Sequence, residues 1–394
     1  MSSAEAGAAL WPAEVVVDLD AISDNVRTLR ERVGGTELMA VVKADGYGHG
    51  LLPSARAALA GGACALGVAQ PTEALALRDA GITAPVLTWL TTPDLDLRPL
   101  VEADVEVAAV APWGLAALAA AARKSGRPAT TQLKVDTGLA RNGAYGIPLR
   151  PGDLRTDWTE LVEAAARLEA EGVLRVRGLF THFAYADAPR HPTVRAQQEA
   201  FADAVTVAER AGLRPEVRHM SNSAATLTTP EASWDMVRPG LAVYGLSPVP
   251  DLSSAEELGL RPAMRVAARV AVAKRVPAGQ GVSYGHTYTT PRETTVVDVP
   301  LGYADGVPRH GSNRAPVQVR GRRFGIAGRV CMDQFVVDVG DLDVEAGEEV
   351  VLFGAGDDGE PTAQDWAEAA GTISYEIVTR FGPRVPRRYL GGPA

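Results

Sequence analysis

The sequence predicts an α/β protein: a (β/α)8 barrel of the TIM type followed by a smaller, mostly antiparallel β domain. Two observations carry the first half. Apolar strand-like runs alternate with helical patterns up to about residue 246, and those runs are apolar on both faces. Such strands belong in a parallel sheet covered by helices on both sides. Eight of these units fit a closed barrel, whose functional residues gather at the C-terminal ends of the strands. An open doubly wound sheet is the alternative that periodicity alone leaves standing. A third observation carries the second half: after residue 246 the chain shifts to short Val-rich runs between turns rich in Gly, Pro and Asn, the pattern of antiparallel β structure.

Taken in order, Leu19, Ile22, Val26, Leu29 and Val33 recur at helical spacing and stop at Gly34-Gly35, a glycine stop signal. LMAVVKA (38–44) reads as a buried strand and 51–60 as a helix. ACALGVA is the next strand, and PTEALALRDAG the next helix, opened by Pro71 and closed by Gly81. APVLTWL and VEVAAV follow, the latter leading into an Ala-rich helix over 113–124. TQLKVD, VRGLFTHF, EVRHMS and MVRPG complete eight strands, with long helices over 158–170 and 194–211. The expected division is a barrel over 14–246 and a β domain over 247–394, with residues 1–13 packing against the latter.

Composition narrows the function. At about 100–200 residues per domain, 394 residues suggest two domains. The chain is 46% hydrophobic, enough to bury a sizeable core. Its net charge of −9 argues against nucleic-acid binding, which draws on a basic excess. No apolar run approaches the roughly 20 residues of a membrane span, and MSSAEAGAAL lacks the basic region of a signal peptide. Cys64 and Cys331 lie far apart without a CxxC, so neither a disulfide framework nor a metal site is expected. A cytoplasmic protein acting on small molecules is the expectation.

Lysine is scarce: only Lys43, Lys124, Lys134 and Lys274 stand against 35 arginines. Where guanidinium meets most needs for positive charge, a lysine stands out for its amine, which alone can lose its proton near neutrality, form a Schiff base or be carbamylated. AVVKADGYGHG (40–50) puts Lys43 at the end of the first strand, followed by a glycine-rich turn, read as flexible, that carries Tyr47. An amine there can condense with an aldehyde cofactor while the turn and the phenol reach a phosphate. LKVDTGLARNG (133–143) puts Lys134 at a strand end and Arg141 in the loop above it, a fork suited to a substrate carboxylate. His182 stands in FTHF and Arg238 in MVRPG, each at the end of a strand-like run. Asn222-Ser223 and Gly240-Leu241 open turns whose backbone N–H groups suit a phosphate. Taken singly, His182 reads as a core histidine and Arg238 as a surface pair; their shared position at strand C-termini is the signal. Gly354–Gly359 matches GxGxxG, but Asp357 and Asp358 would repel a pyrophosphate and no βαβ unit follows, so it reads as a hairpin or loop.

KADGYGHG, LKVDTGLARNG, THF, SNSAA, RPGLAVYGL, VSYG, GYADG, GRVCMDQ and ISYEI occur in the order and approximate spacing of the alanine racemases, which the chain resembles from roughly residue 12 to 390. One departure is Asp45-Gly46, where many members carry an Asn-Ala type pair; another is a short extra stretch before the match. The resemblance implies pyridoxal 5'-phosphate as cofactor and interconversion of L- and D-alanine, supplying D-alanine for peptidoglycan. It implies that Lys43 holds the cofactor as an internal aldimine and then serves as one acid–base, opposed by Tyr284. Arg141 and the backbone of Met332 would bind the substrate carboxylate. Tyr47, Asn222, Ser223, Gly240, Leu241 and Tyr375 would hold the cofactor at its phosphate end, and Arg238, backed by His182, would face the pyridine nitrogen. Tyr303 and Asp333 would line the approach path. It also implies a homodimer in which the partner's β domain covers the barrel and supplies Tyr284, Tyr303, Met332 and Asp333.

Elementary chemistry agrees. Racemisation removes a proton from one face of the α-carbon and delivers one to the other, so it needs two bases of different origin. An amine and a phenol both start near pKa 10, and neighbouring cations shift each toward usefulness at neutral pH. Lys134 beside Arg141 would crowd two cations, whereas a carbamate on Lys134 would accept hydrogen bonds from the guanidinium; an ammonium paired with Asp136 is the alternative. Two rival readings differ in class: a related barrel decarboxylase, in which a carboxylate would face the ring nitrogen where Arg238 stands here, and a non-catalytic carrier of the cofactor built on the barrel alone.

Overall fold

The computed structural model describes residues 12–147 and 156–392. Eight parallel strands form the barrel: Glu37–Val41, Ala65–Val68, Val86–Thr88, Glu106–Ala109, Ala129–Asp136, Leu174–Phe180, Val217–His219 and Met236–Val237. The first seven neighbour one another in chain order, and the eighth pairs with the first, Met236 opposite Glu37. The seam between the seventh and eighth strands is closed by Asp235 N–H to Arg218 O at 3.1 Å and Arg238 N–H to Ser221 O at 2.9 Å. The helices lie where the periodicity put them, among them Leu19–Val33, Leu51–Ala60, Pro71–Asp79, Pro112–Ser125, Asp157–Ala170 and Pro192–Arg210.

Strand alternation divides the core in two. Met39, Ala65, Leu87, Ala108, Phe180, Val217 and Met236, one from each of seven strands, pack together as a cluster of their own inside the barrel. Their strand neighbours, such as Leu38 and Ala40, pack outward into the large core with the helices. The remaining strand, the fifth, places the buried polar side chain of Gln132 among these inner residues. That exception matters for the site.

The second domain holds a six-stranded sheet, a three-stranded antiparallel sheet and a short hairpin. Ala13–Asp18 lies inside the six-stranded sheet, antiparallel to Met264–Arg269 and parallel to Arg387–Leu390. By pairing, then, residues 14–18 sit with the β domain, although the sequence placed them at the start of the barrel. Pairing between distant segments decides this, and a local pattern cannot carry it. The same strand runs straight into the first barrel helix, capped by Asp18, whose carboxylate accepts from Ala21 N–H at 3.0 Å. Of the expectation for residues 1–13, residues 1–11 lie outside the described residues; Pro12 O accepts from Arg269 N–H at 2.8 Å. The Gly354–Gly359 turn closes on Glu360, whose carboxylate takes the N–H groups of Gly356 and Asp358, both at 2.9 Å. Among the described residues no helix is long and apolar enough to cross a membrane.

Candidate active site

A cavity of about 540 Å³ opens at the C-terminal mouth of the barrel. Its lining brings together Lys43, Tyr47, Lys134, Arg141, His182, Asn222, Ser223, Arg238, Gly240, Leu241 and Tyr375, eleven residues the sequence singled out from both domains.

Lys43 follows the first strand and enters an unusual turn. Ala44, Asp45, Gly46 and Tyr47 all take left-handed backbone angles, with φ between 51° and 61°. For a non-glycine residue that conformation costs on the order of 1–2 kcal/mol, so something must hold it. Glu73 accepts the Ala44 N–H at 2.6 Å, Asp45 accepts the Leu51 N–H at 2.8 Å, and Arg387 donates to Gly48 O at 2.7 Å. At Gly48 a Cβ would lie 2.2 Å from Val378 O, so only glycine admits this close approach. The expected flexible turn is instead an anchored one. Burial and the Arg141 charge pull the Lys43 amine below its ordinary range, while Glu73 opposes them.

At one end of the cavity the Tyr47 ring lies 6.2 Å from that of Tyr375. Burial pushes both phenols up, Tyr375 to about 12, so both remain protonated donors. A Cβ on Gly240 would meet Tyr47 Oη at 2.3 Å, which ties the eighth-strand turn to the Lys43 turn. Ser223 Oγ accepts the N–H groups of Gly240 at 2.8 Å and Ala242 at 3.2 Å, and Asn222 caps the helix Ser223–Thr228.

At the other end Arg238 is buried. Its guanidinium donates to Thr181 O at 2.8 Å and meets His219 Nδ1 at 2.9 Å, whereas His182 Nδ1 lies at 3.4 Å. The expected backing by His182 is therefore the weaker contact, and His219 is the principal one. A guanidinium can only donate, so His219 Nδ1 accepts and its Nε2–H points to Gln132 Oε1 at 2.6 Å. Gln132 in turn donates to Glu106 at 2.5 Å, which also receives Arg177 at 2.6 Å. The polar chain runs through the apolar barrel interior and fixes the plane of Arg238. Burial draws that guanidinium down to about 10, which still leaves it charged at neutral pH.

Lys134 Nζ donates to Asn142 Oδ1 at 2.9 Å, and burial with the Arg238 and Arg141 charges pulls its amine down to about 7. Asp136, the alternative partner, directs its carboxylate to backbone N–H groups of the following loop. Missed from the sequence were His219, in the middle of EVRHMS, and Trp89, at the end of the third strand with Lys43 Nζ 5.9 Å above its ring. Both sit at positions that read as ordinary core; only their place on an inward or mouth-facing position of a barrel strand could have marked them.

Tyr284, Tyr303, Met332 and Asp333 do not line this cavity. Tyr303 and Ala304 donate their N–H groups to Cys331 O and Met332 O, both at 3.0 Å, which joins their loops. The side chains point outward: Tyr284 is 70% exposed, Met332 54% and Tyr303 41%. Asp333 pairs with Arg384 at 2.7 Å.

Residues 17–248 match the alanine racemase N-terminal domain and 263–389 the alanine racemase C-terminal domain. The chain is 58% identical over 375 residues to an alanine racemase of Frankia casuarinae, covering 95% of each chain, and 55% identical over 386 residues to one of Streptomyces coelicolor, covering 97% of each. The crystal structure of alanine racemase from D-cycloserine producing Streptomyces lavendulae superposes with a TM-score of 0.94 at 53% identity, over 98% of both chains. The chain belongs to the alanine racemase family. Within that family's two-domain frame, the barrel mouth carries the enclosed half of the residues implied by the motifs, and the β domain carries an exposed half.

Proposed function

We propose that the protein interconverts L- and D-alanine with pyridoxal 5'-phosphate, and that its D-alanine feeds peptidoglycan synthesis in the cytoplasm. The observation that carries this reading is the cavity at the barrel mouth of an alanine racemase family chain, with its amine, two protonated phenols and two arginines. The lining fits the cofactor: Lys43 would offer the amine for its aldehyde, Tyr47, Tyr375, Asn222, Ser223, Gly240 and Leu241 would hold its phosphate, and Arg238, with His182 and His219 behind, would meet its ring nitrogen. When bound, the cofactor supplies an electron sink that acidifies the α C–H.

The remaining work falls to the chain's own groups. Arg141 receives the substrate carboxylate together with the Met332 backbone, which orients the α-carbon. Lys43 Nζ, lowered by burial and by Arg141, takes or returns the proton on one face. Tyr284 Oη serves the other face. Arg238 can only donate a hydrogen bond and does not give up its proton at neutral pH, so it would leave the ring nitrogen unprotonated and limit the sink, which would favour quick reprotonation over side reactions. Because Tyr284 does not line its own chain's cavity, we read the active unit as a homodimer in which Tyr284, Tyr303, Met332 and Asp333 complete the partner's site, with Tyr303 and Asp333 along the approach. Such an interface would bury more than about 2,000 Å². We also read Lys134 as carbamylated: its amine, neutral above about pH 7, adds to the carbon of CO2 and loses a proton, giving an anion that braces Arg141.

Purified protein incubated with L-alanine and read by chiral chromatography tests the reading. A racemic mixture supports it, ethylamine with CO2 would point to a decarboxylase, and unchanged L-alanine to a cofactor carrier.

A further inference from the structure

The fifth barrel strand ends at Asp136, 5% exposed, and the loop that follows is wound around that carboxylate. Asp136 Oδ1 accepts the N–H groups of Gly138 at 2.9 Å, Leu139 at 2.9 Å and Ala140 at 3.1 Å. Oδ2 accepts a single one, the N–H of Arg141, at 2.9 Å. The backbone pays for this wrapping locally, since Ala140, a non-glycine residue, is held at φ 55°. Further along, a Cβ on Gly143 would lie 2.9 Å from Asp136 N, and Gly146 N–H donates to Asp136 O at 3.0 Å. The loop thus leaves from Asp136 and returns to it.

Arg141 is exposed on the rim, on a long side chain whose direction depends on its backbone. The Oδ2 contact is what fixes that backbone. We propose that Asp136 is a positioning residue for substrate binding, which acts through the Arg141 backbone to aim the guanidinium at the substrate carboxylate. This rests on the reading that Arg141 receives that carboxylate. Lys134 and Asn142 brace the loop from the cavity side, through their 2.9 Å contact; Asp136 braces it from beneath.

The substitution Asp136→Asn separates this role from a general structural one. Its amide oxygen can keep the three N–H groups of Gly138, Leu139 and Ala140, but its NH2 then faces the Arg141 N–H, donor against donor. The wrapped turn survives while the Arg141 anchor is lost. For the holoenzyme we expect KM for alanine to rise about 10–100-fold, the range for losing a hydrogen bond to a charged group, with kcat within about 3-fold of wild type. Inhibition by propionate, a carboxylate without an amine, should weaken by the same factor. Binding of ethylamine, an amine without a carboxylate, read from the visible spectrum of the bound cofactor, should not change. Equal losses for ethylamine and alanine, or no loss for either, would overturn the proposal. A second measurement needs no variant. In wild-type holoenzyme the amides of 138–141 should exchange with deuterium slowly despite their surface location, and fast exchange there would equally overturn it. Wild-type protein that neither turns over alanine nor is inhibited by propionate refutes the parent reading instead.

Discussion

At the barrel mouth Lys134, Arg238 and His219 are buried, with Arg141 exposed on the rim; on the β domain, Tyr284, Tyr303 and Met332 are displayed to solvent. The first region is a finished environment. Lys43, Lys134, His182 and His219 are all drawn down by burial, and the neighbouring guanidinium groups add to it. The second is shaped but not enclosed, so its phenol and carboxylate meet water in the single chain. The contrast teaches that enclosure follows from what covers a side chain: the barrel mouth encloses its own groups, Tyr375 from the last helix included, while Tyr284, Tyr303 and Met332 stand uncovered.

Six measurements test this difference. Lys43→Ala should lower racemisation by about 10⁴-fold or more and remove the visible absorbance of the covalently held cofactor. Tyr284→Phe should lower it by about 10²–10⁴-fold with that absorbance intact, because in the proposed mechanism Tyr284 serves the proton and Lys43 holds the cofactor. Mixing the two inactive proteins under conditions of subunit exchange should restore part of the activity, since each hybrid contains one site with both residues; exchange without recovery would refute the shared site.

Inside the barrel, His219→Phe strands the Arg238 guanidinium and the Gln132 amide, and should lower unfolding stability by about 3 kcal/mol in denaturant titration. For Lys134 the sign follows from its lowered pKa of about 7: the amine is protonated below that pH and free to take up CO2 above it. The carbamylated fraction, followed by carbon NMR with labelled bicarbonate, should therefore rise a few-fold between about pH 6 and pH 8. Invariance across that range would remove the carbamate. The smallest effect belongs to the exposed region, where Asp333→Asn breaks an ion pair open to solvent and should change stability by less than about 1 kcal/mol.

Much of the barrel was legible because its strands are continuous apolar runs and its chemistry stands at their ends: Lys43, Arg141, His182 and Arg238 each follow or close such a run. Tyr375, from the last helix, was reached only through the family resemblance. Three features were not legible, for different reasons. Ala13–Asp18 pairs with segments from the far end of the chain, which no local pattern encodes. His219 alternates inward on a three-residue strand too short to display a period. The turn after Lys43 reads as loose because it is rich in glycine, yet Ala44, Asp45 and Tyr47 adopt the glycine-like conformation themselves, held by Glu73, Asp45 and Arg387.

The position of Ala13–Asp18 between Met264–Arg269 and Arg387–Leu390 has a consequence for how the molecule can be divided. A piece made of residues 247–394 alone would lack an interior strand of its larger sheet and would present two raw edges, each a template for adventitious pairing. During synthesis the earliest strand must wait for the latest ones, through the making of the entire barrel, before its hydrogen bonds are answered. The two domains are therefore separable in architecture but not by scissors: expressed as fragments, the β half should aggregate, and supplying residues 12–18 as a peptide should be what rescues it.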